Sequence, residues 1–444
     1  MEIKQFEDNG LSHYSYAIKS EYKREIILID PARDISPYVA YAKEHKATIA
    51  GVIATHPHAD FVSGHLELHQ LTGATIYCSK LLGATYPHQP FDDGDEIVLG
   101  DIKLKAINTP GHSPDSISIL LAYQGRNKAV FTGDTLFIGD CGRPDLRENA
   151  GNLTAKREEL ARQMYHSLHD KLMLLEDEVF VYPAHGAGTL CGKSLGKEKQ
   201  STIGIEKVNN WSLQEMSEQA FVHALNEGQP FIPKYFPYNV EVNKRGADHL
   251  ENSIVQVSRG AQGDLNEHIT IIDTRPAAMF KQQHLSGSVN LQNGGKFETW
   301  LGSIVAPGEP FYLVGESEEV LDNLIFRCAK IGYESFIENA FVFQKGNESM
   351  EMINMEDFNR NPQDYTIVDV RNSSEINEQS VFEHSLWIPL PELRERVMEI
   401  PQDKPIVVHC AGGYRSAAGS SLIQHGRGNE IRVFDLGENI KTFL

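Results

Sequence analysis

The chain has 444 residues, 41% of them hydrophobic and 23% charged, which is globular composition and too long for one ordinary core, so two to four domains are expected. A formal net charge of −20 excludes nucleic-acid backbones and anionic membrane surfaces as partners. No apolar h-region opens the sequence, no run approaches ~20 apolar residues, and five scattered cysteines make no disulfide framework, so a cytoplasmic chain without a transmembrane helix is expected.

In chain order, residues 25–30 read as a buried strand ended by Pro31. Residues 48–55 form another, and Thr55-His56-Pro57-His58-Ala59-Asp60-Phe61 lies at its C-terminal end. Residues 102–107 alternate with period two and stop at Thr109-Pro110-Gly111-His112. Residues 128–132 run into Gly133-Asp134, and 179–182 into Pro183-Ala184-His185-Gly186. Four strands thus deliver a metal-ligating residue type just past their last apolar residue. If these strands stop side by side, the residues share one rim. A satisfied structural polar residue explains any one of them; the set points to a metal site. Imidazole and carboxylate suit zinc or iron, and two histidines with one carboxylate and open positions suit a non-haem Fe(II) oxygenase. His56 and His58, two apart, share a face of an extended backbone, and His112 and Asp134 are placed to complete the shell.

The second half repeats. Ile271-Ile272-Asp273-Thr274-Arg275 matches Ile367-Val368-Asp369-Val370-Arg371, with Asp273 and Asp369 96 positions apart. Pro310 to Gly315 matches Pro405 to Cys410. A period near 95 residues means two tandem α/β units. Polar stretches at 239–246 and 345–349 read as junctions.

In the second copy, Cys410-Ala411-Gly412-Gly413-Tyr414-Arg415-Ser416 follows an apolar strand and precedes a helical run. Gly412 and Gly413 free the backbone, so N–H groups of Gly412, Gly413 and Tyr414 can surround a bound anion. The loop and the helix N-terminus would stabilise a thiolate or persulfide on Cys410. Arg415 adds charge or holds an anionic sulfur acceptor. The arrangement C-x-x-G-x-R resembles rhodanese sulfurtransferases and, more distantly, cysteine phosphatases; the upstream 367–371 segment is rhodanese-like and decides between them. Residues 381–385 depart from the usual Gly-His-Ile-x-Gly of that family. In the first copy Gly315 stands at the cysteine position, followed by Glu316, Glu318 and Glu319, so that copy is expected to be inactive. Cys328, within a helical pattern, reads as a core thiol.

The segments 55–60, 109–114, Gly133-Asp134 and Gly139-Asp140-Cys141-Gly142-Arg143-Pro144-Asp145 resemble the metallo-β-lactamase superfamily, specifically its persulfide dioxygenases. Those enzymes hold one Fe(II) and oxidise the outer sulfur of a low-molecular-weight persulfide to sulfite with O₂. The resemblance implies an αββα sandwich, one Fe(II) per chain held by His56, His112 and Asp134, and O₂ as co-substrate. It places His58, Asp60 and His185 beside the metal. Where two-metal members have a further histidine ligand this chain has Phe61, which removes a nitrogen donor and disfavours a dinuclear thioester hydrolase of the glyoxalase II type. Cys191 reads either as an entrance thiol taking part in sulfur transfer or as a small buried thiol. Arg143 and Lys193 read as cations for an anionic substrate, or as structural groups.

The domain order resembles bacterial persulfide dioxygenase–rhodanese fusions: residues 1–245 the dioxygenase, 250–345 an inactive pseudo-rhodanese, 348–444 an active rhodanese. This implies α/β and α+β architecture, small-molecule thiol persulfides and sulfite as partners, thiosulfate as product in sulfide detoxification, and a cytoplasmic homo-oligomer. The remaining alternative is a sulfur carrier in which Cys410 only relays persulfide sulfur, and nothing in residues 55–186 favours it.

Overall fold

A computed structural model describes residues 1–146, 157–428 and 431–444. The chain forms two compact units, Met1–Asn252 with Lys330–Gly332, and Ser253–Ala329 with Tyr333–Leu444. The first unit therefore runs past residue 245, and both repeats share the second.

The first unit is a sandwich of two six-stranded sheets. One holds β1 (Glu2–Asp8), β2 (His13–Ser20), β3 (Glu25–Ile29), β4 (Thr48–Ile53), β5 (Thr75–Cys78) and β6 (Gln89–Pro90) in that order. The other holds β7 (Glu96–Leu99), β8 (Ile102–Asn108), β9 (Ile117–Tyr123), β10 (Arg126–Gly133), β11 (Phe180–Pro183) and β12 (Ser201–Thr202), also in sequence order. Period-two alternation sorts the strand residues by face. Ile18, Ile27, Ile29 and Ile53 meet Leu104, Ile119, Leu121 and Phe131 between the sheets. Ala17, Ile26, Leu28 and Val52 turn outward beneath Tyr38, Tyr41 and Leu68 of the helices Ser36–Glu44 and His65–Thr72. Leu120, Val130 and Val181 do the same beneath Ala161, Met164 and Leu168 of Arg157–His169. Both faces of each sheet are thus apolar, and the layers are αββα.

The ligand-bearing strands do not all stop side by side. β4 belongs to one sheet; β8, β10 and β11 belong to the other, with β9 between β8 and β10. Their ends meet on a rim that both sheets share. The polar stretch from Asn239 is not a linker either, because it lies in the helix Phe236–Arg245. From that helix Asn243, 2% exposed, donates to the carbonyls of His58 and Phe61 (2.8 Å each) and accepts from Ser63 N–H at 2.8 Å.

In the second unit the repeat is geometric as well as textual. One four-stranded sheet holds β13 (Thr270–Asp273), β14 (Ser288–Asn290), β15 (Phe311–Gly315) and β16 (Ile337–Val342) in the order β14-β13-β15-β16. The other holds β17 (Thr366–Asp369), β18 (Leu386–Trp387), β19 (Ile406–His409) and β20 (Val433–Asp435) in the order β18-β17-β19-β20. All pairings are parallel, with Thr270 opposite Phe311 and Thr366 opposite Ile406. Buried Arg275 grips Asp273 and donates to Gln283 O at 2.9 Å; Arg371 grips Asp369 and donates to Gln379 O at 3.0 Å. Cys328 is fully buried in the helix Glu318–Lys330.

Candidate active sites

His56, His112 and Asp134 are buried and each offers a ligand atom within 4.8 Å of the others. His56 Nε2 lies 3.7 Å and His112 Nε2 3.5 Å from Asp134 Oδ2. Their outer nitrogens are already used. The Thr55 hydroxyl donates to Asp30 Oδ2 (2.8 Å), so at 3.0 Å its oxygen accepts from His56 Nδ1–H. The Arg143 carbonyl accepts from His112 Nδ1–H at 2.9 Å. Both rings therefore turn an Nε2 lone pair inward, the arrangement by which hydrogen-bonded partners orient metal-ligating histidines. Burial keeps both imidazoles neutral by pushing them below their ordinary value, while the Asp134 carboxyl stays well below its own, because the charged ring of neighbouring His185 outweighs its burial. His56 Nε2 and Asp134 Oδ2 are buried with no hydrogen-bond partner. Two neutral imidazoles, one carboxylate and unpaired inward atoms fit a divalent metal of the Fe(II) or Zn(II) type.

The other three predicted neighbours form a second group, also within 4.8 Å. His185 bridges two carboxylates, Nδ1 to Asp134 Oδ1 and Nε2 to Asp60 Oδ2, each at 2.8 Å. Burial opposes its charge, yet Asp134 and Asp60 together hold it well above the ordinary histidine range as an imidazolium. His58 Nε2 lies 3.1 Å from Asp30 Oδ1. The Phe61 ring, 1% exposed, packs 4.3 Å from the His58 ring and 3.8 Å from that of His13, so an apolar wall stands beside this group. His13, Asp30 and Thr55 are site residues that the sequence reading did not single out.

For three residues that the sequence left with two readings, the contacts favour the structural one. Cys191 does not face an entrance: it is 1% exposed, grouped with Asp134 and His185, and burial pushes its thiol well above the ordinary value, so it is protonated. Arg143 is not available to a substrate. Its Nε and Nη2 pair with Asp145 at 2.6 and 2.8 Å, and Nη1 donates to the carbonyls of Leu190 (3.1 Å) and Phe231 (3.4 Å). Lys193 donates its ammonium to Ala224 O over the Trp211 ring, while its backbone N–H and that of Ser194 bind Asp140 Oδ2. Within that same Gly139–Asp145 stretch, a side chain at Gly142 would collide with the Asp134 carbonyl, so glycine is needed there.

Around Cys410 the backbone does what the glycines promise. Gly413 N–H points at Cys410 Sγ from 3.1 Å, with Gly413 at φ +97° as N-cap of the helix Tyr414–Arg427. Gly412 is exposed. Arg415 is not free for an acceptor anion as expected: Nη1 and Nη2 are held by Glu375 at 2.5 and 2.6 Å. The Tyr414 hydroxyl, likewise, donates to Gln292 O at 2.8 Å rather than facing a substrate. Only four residues separate Cys410 from Arg415, against five in the cysteine phosphatases. At the equivalent Gly315 there is no side chain to act.

Comparison with known proteins agrees with this geometry. Residues 8–185 match the metallo-beta-lactamase superfamily and 354–439 the rhodanese-like domain. The mitochondrial persulfide dioxygenase ETHE1 of Bos taurus is 31% identical over 234 residues, 52% of this chain and 83% of that protein; the chain spans 63% of the Homo sapiens counterpart. A cytoplasmic hydroxyacylglutathione hydrolase of Arabidopsis thaliana is 35% identical over 179 residues, 39% of this chain and 63% of that one. A crystal structure described as a metallo-beta-lactamase from Staphylococcus aureus subsp. aureus COL is 32% identical, covers 78% of this chain and 99% of its own, and has a TM-score of 0.69. Among the described residues no helix is long and apolar enough to cross a membrane. The chain belongs to the metallo-β-lactamase superfamily, among its persulfide dioxygenase relatives, and carries a rhodanese-like domain towards its C-terminus.

Proposed function

We propose that the first unit is a persulfide dioxygenase using one non-haem Fe(II) and O₂, and that Cys410 makes the chain a thiosulfate-forming sulfurtransferase as well. The observation that carries this reading is the pair of inward-facing Nε2 atoms and the unpaired Asp134 oxygen, with Phe61 walling the neighbouring group. Bound at His56, His112 and Asp134, the iron would supply electrons and open positions for oxygen chemistry at sulfur. The chain's own part is to keep those imidazoles neutral by burial and to aim them through Thr55 and the Arg143 carbonyl. Persulfide, O₂ and water give thiol, sulfite and two protons. At the second site the Cys410 thiolate takes the outer sulfur of a persulfide and releases the thiol. Sulfite then attacks that sulfur, the S–S bond to Cys410 breaks with its electron pair left on the cysteine, and thiosulfate departs. Gly413 N–H stabilises the sulfur anion in both states. Cysteines that are all free suit the reducing cytoplasm.

The test is O₂ uptake by anaerobically Fe(II)-loaded protein given a small persulfide, with sulfite and thiosulfate assayed. Thiosulfate should accumulate, and Cys410→Ser should divert the product to sulfite. No uptake across several persulfides overturns the dioxygenase reading. A second reading, a two-metal thioester hydrolase, draws on the cluster of His58, Asp60 and His185; two zinc ions per chain with thioester turnover would establish it instead.

A further inference from the structure

The first repeat of the second unit has glycine, Gly315, where the other has Cys410, yet its residues hold the nucleophile loop of that other repeat. Tyr414 donates its hydroxyl to Gln292 O at 2.8 Å, and its ring lies so flat on Gly294 that a Cβ there would come 2.5 Å from Cε2. The loop that carries Gly294 is itself locked. Arg327 donates to Gly294 O (2.7 Å), to Asn293 Oδ1 (2.6 Å) and twice to the fully buried Glu298 (2.8 and 2.5 Å). On the same side the Trp300 ring lies 5.8 Å from the Arg415 guanidinium. Two turns further along the helix Tyr414–Arg427, Ser421 Oγ accepts Asn290 N–H at 2.9 Å. Lys281 pairs with Asp435, the last residue of β20, at 2.7 Å.

We infer that this repeat is the seat of the Cys410 loop, with Gly294 as a positioning residue for sulfur transfer, acting through Tyr414 on Gly413. The inference rests on the reading of Cys410 as a sulfur-transfer nucleophile. Tyr414 is the first residue of the helix and Gly413 its N-cap, so moving the Tyr414 ring turns Gly413 N–H away from Sγ. Hydrogen bonds weaken steeply with misalignment, and the helix terminus acts only over its first turn. A separation that leaves Tyr414 unsupported therefore costs catalysis without touching the thiol.

Adjacent glycines make the test sharp. A Cβ at Gly294 meets the Tyr414 ring, whereas one at Gly295 meets nothing within 4 Å. Thiosulfate formation is followed in the full-length protein with glutathione persulfide as donor and sulfite as acceptor. Gly294→Ala should lower kcat about tenfold with KM for sulfite held within about twofold, and slow alkylation of Cys410 by iodoacetamide. Gly295→Ala should match the unmodified chain, and all variants should keep its O₂ uptake. Tyr414→Phe, which removes only the hydroxyl, should lower kcat about threefold and carries the test if Gly294→Ala does not fold. Unchanged kcat and alkylation in both Gly294→Ala and Tyr414→Phe would overturn the inference and leave the repeat a spacer. Absence of thiosulfate from the unmodified chain would instead overturn the reading of Cys410, and the inference with it.

Discussion

Replacing Arg143 by Met separates a structural cation from a substrate-binding one. The side chain is 2% exposed and that of its partner Asp145 is 1% exposed, with both carboxylate oxygens engaged. Removing one member of a buried pair costs about 3–5 kcal/mol, because the other charge is stranded. Here Arg157 still reaches Asp145 Oδ2 at 3.0 Å from a 40% exposed position, which argues for about 3 kcal/mol, the lower end of that range. In a unit of this size that is a fall of about 6–12 °C in the first unit's transition. Burial would raise the Asp145 carboxyl, but hydrogen bonds from Arg143 outweigh it and hold it below 3.8. A depressed carboxyl contributes stability above its unfolded value and loses it as pH falls through the folded one, so the full effect is present at pH 7. Arg143→Met with Asp145→Leu should recover most of the loss, since neither charge is then stranded. The assay is calorimetry of the metal-free and Fe(II)-loaded protein beside KM for persulfide. Iron affinity should drop at least tenfold with the support of the His112 carbonyl partner disturbed. A transition moved by less than about 1 kcal/mol, together with a tenfold rise in KM, would refute the structural assignment and return Arg143 to the substrate.

Phe61→His should raise the metal content of reconstituted protein above one per chain, by metal analysis; a content still at one would mean that Phe61 is not what limits the second group. Native protein treated with iodoacetamide at pH 8 should label Cys410 before Cys78, Cys141, Cys191 or Cys328, whose thiols burial pushes upward, and peptide mass spectrometry reads the order. Burial would raise Glu375, but Arg415 outweighs it and holds the carboxyl below 4.5, so their pair stabilises above that pH and fades below it. Glu375→Gln should therefore cost about 1 kcal/mol at pH 7, discounted for partial exposure, and progressively less as pH falls below 4.5, by denaturant titration across that range.

How much of this was legible depends on where each residue finds its partners. His56, His112, Asp134 and His185 could be read because local strand register places them: each follows an apolar run, and the run fixes where the next side chain emerges. The repeat could be read for the same reason, since the Asp-x-Arg forks at 273 and 369 are closed locally, by the residue two positions on and a carbonyl eight positions further. His13 starts a strand instead of ending one, so the same pattern passes over it. Arg143 and Lys193 could be read either way from sequence: Asp145, two residues from Arg143, is close by, but the carbonyls of Leu190, Phe231 and Ala224 that also hold these cations are distant. A cation held by distant carbonyls looks, in sequence, the same as one awaiting an anion.

Asn243 shows the cost of that ambiguity most clearly. A polar run between two folded regions is the ordinary mark of a junction, and 239–246 has that composition. Yet one buried amide there ties together the backbone of His58, Phe61 and Ser63, the turn that carries the metal motif out of β4. Its oxygen and its nitrogen are both spent on main-chain groups, which no hydropathy pattern records. The helix that carries Asn243 is thus part of the metal site's support, and a first domain cut at residue 238 would leave those carbonyls and that N–H unpaired beside the ligands. Such a truncation should bind iron more weakly than one ending after Asn252, where the main segment of the compact unit ends, and equal iron affinity in the two would refute the assignment of Asn243 to the site.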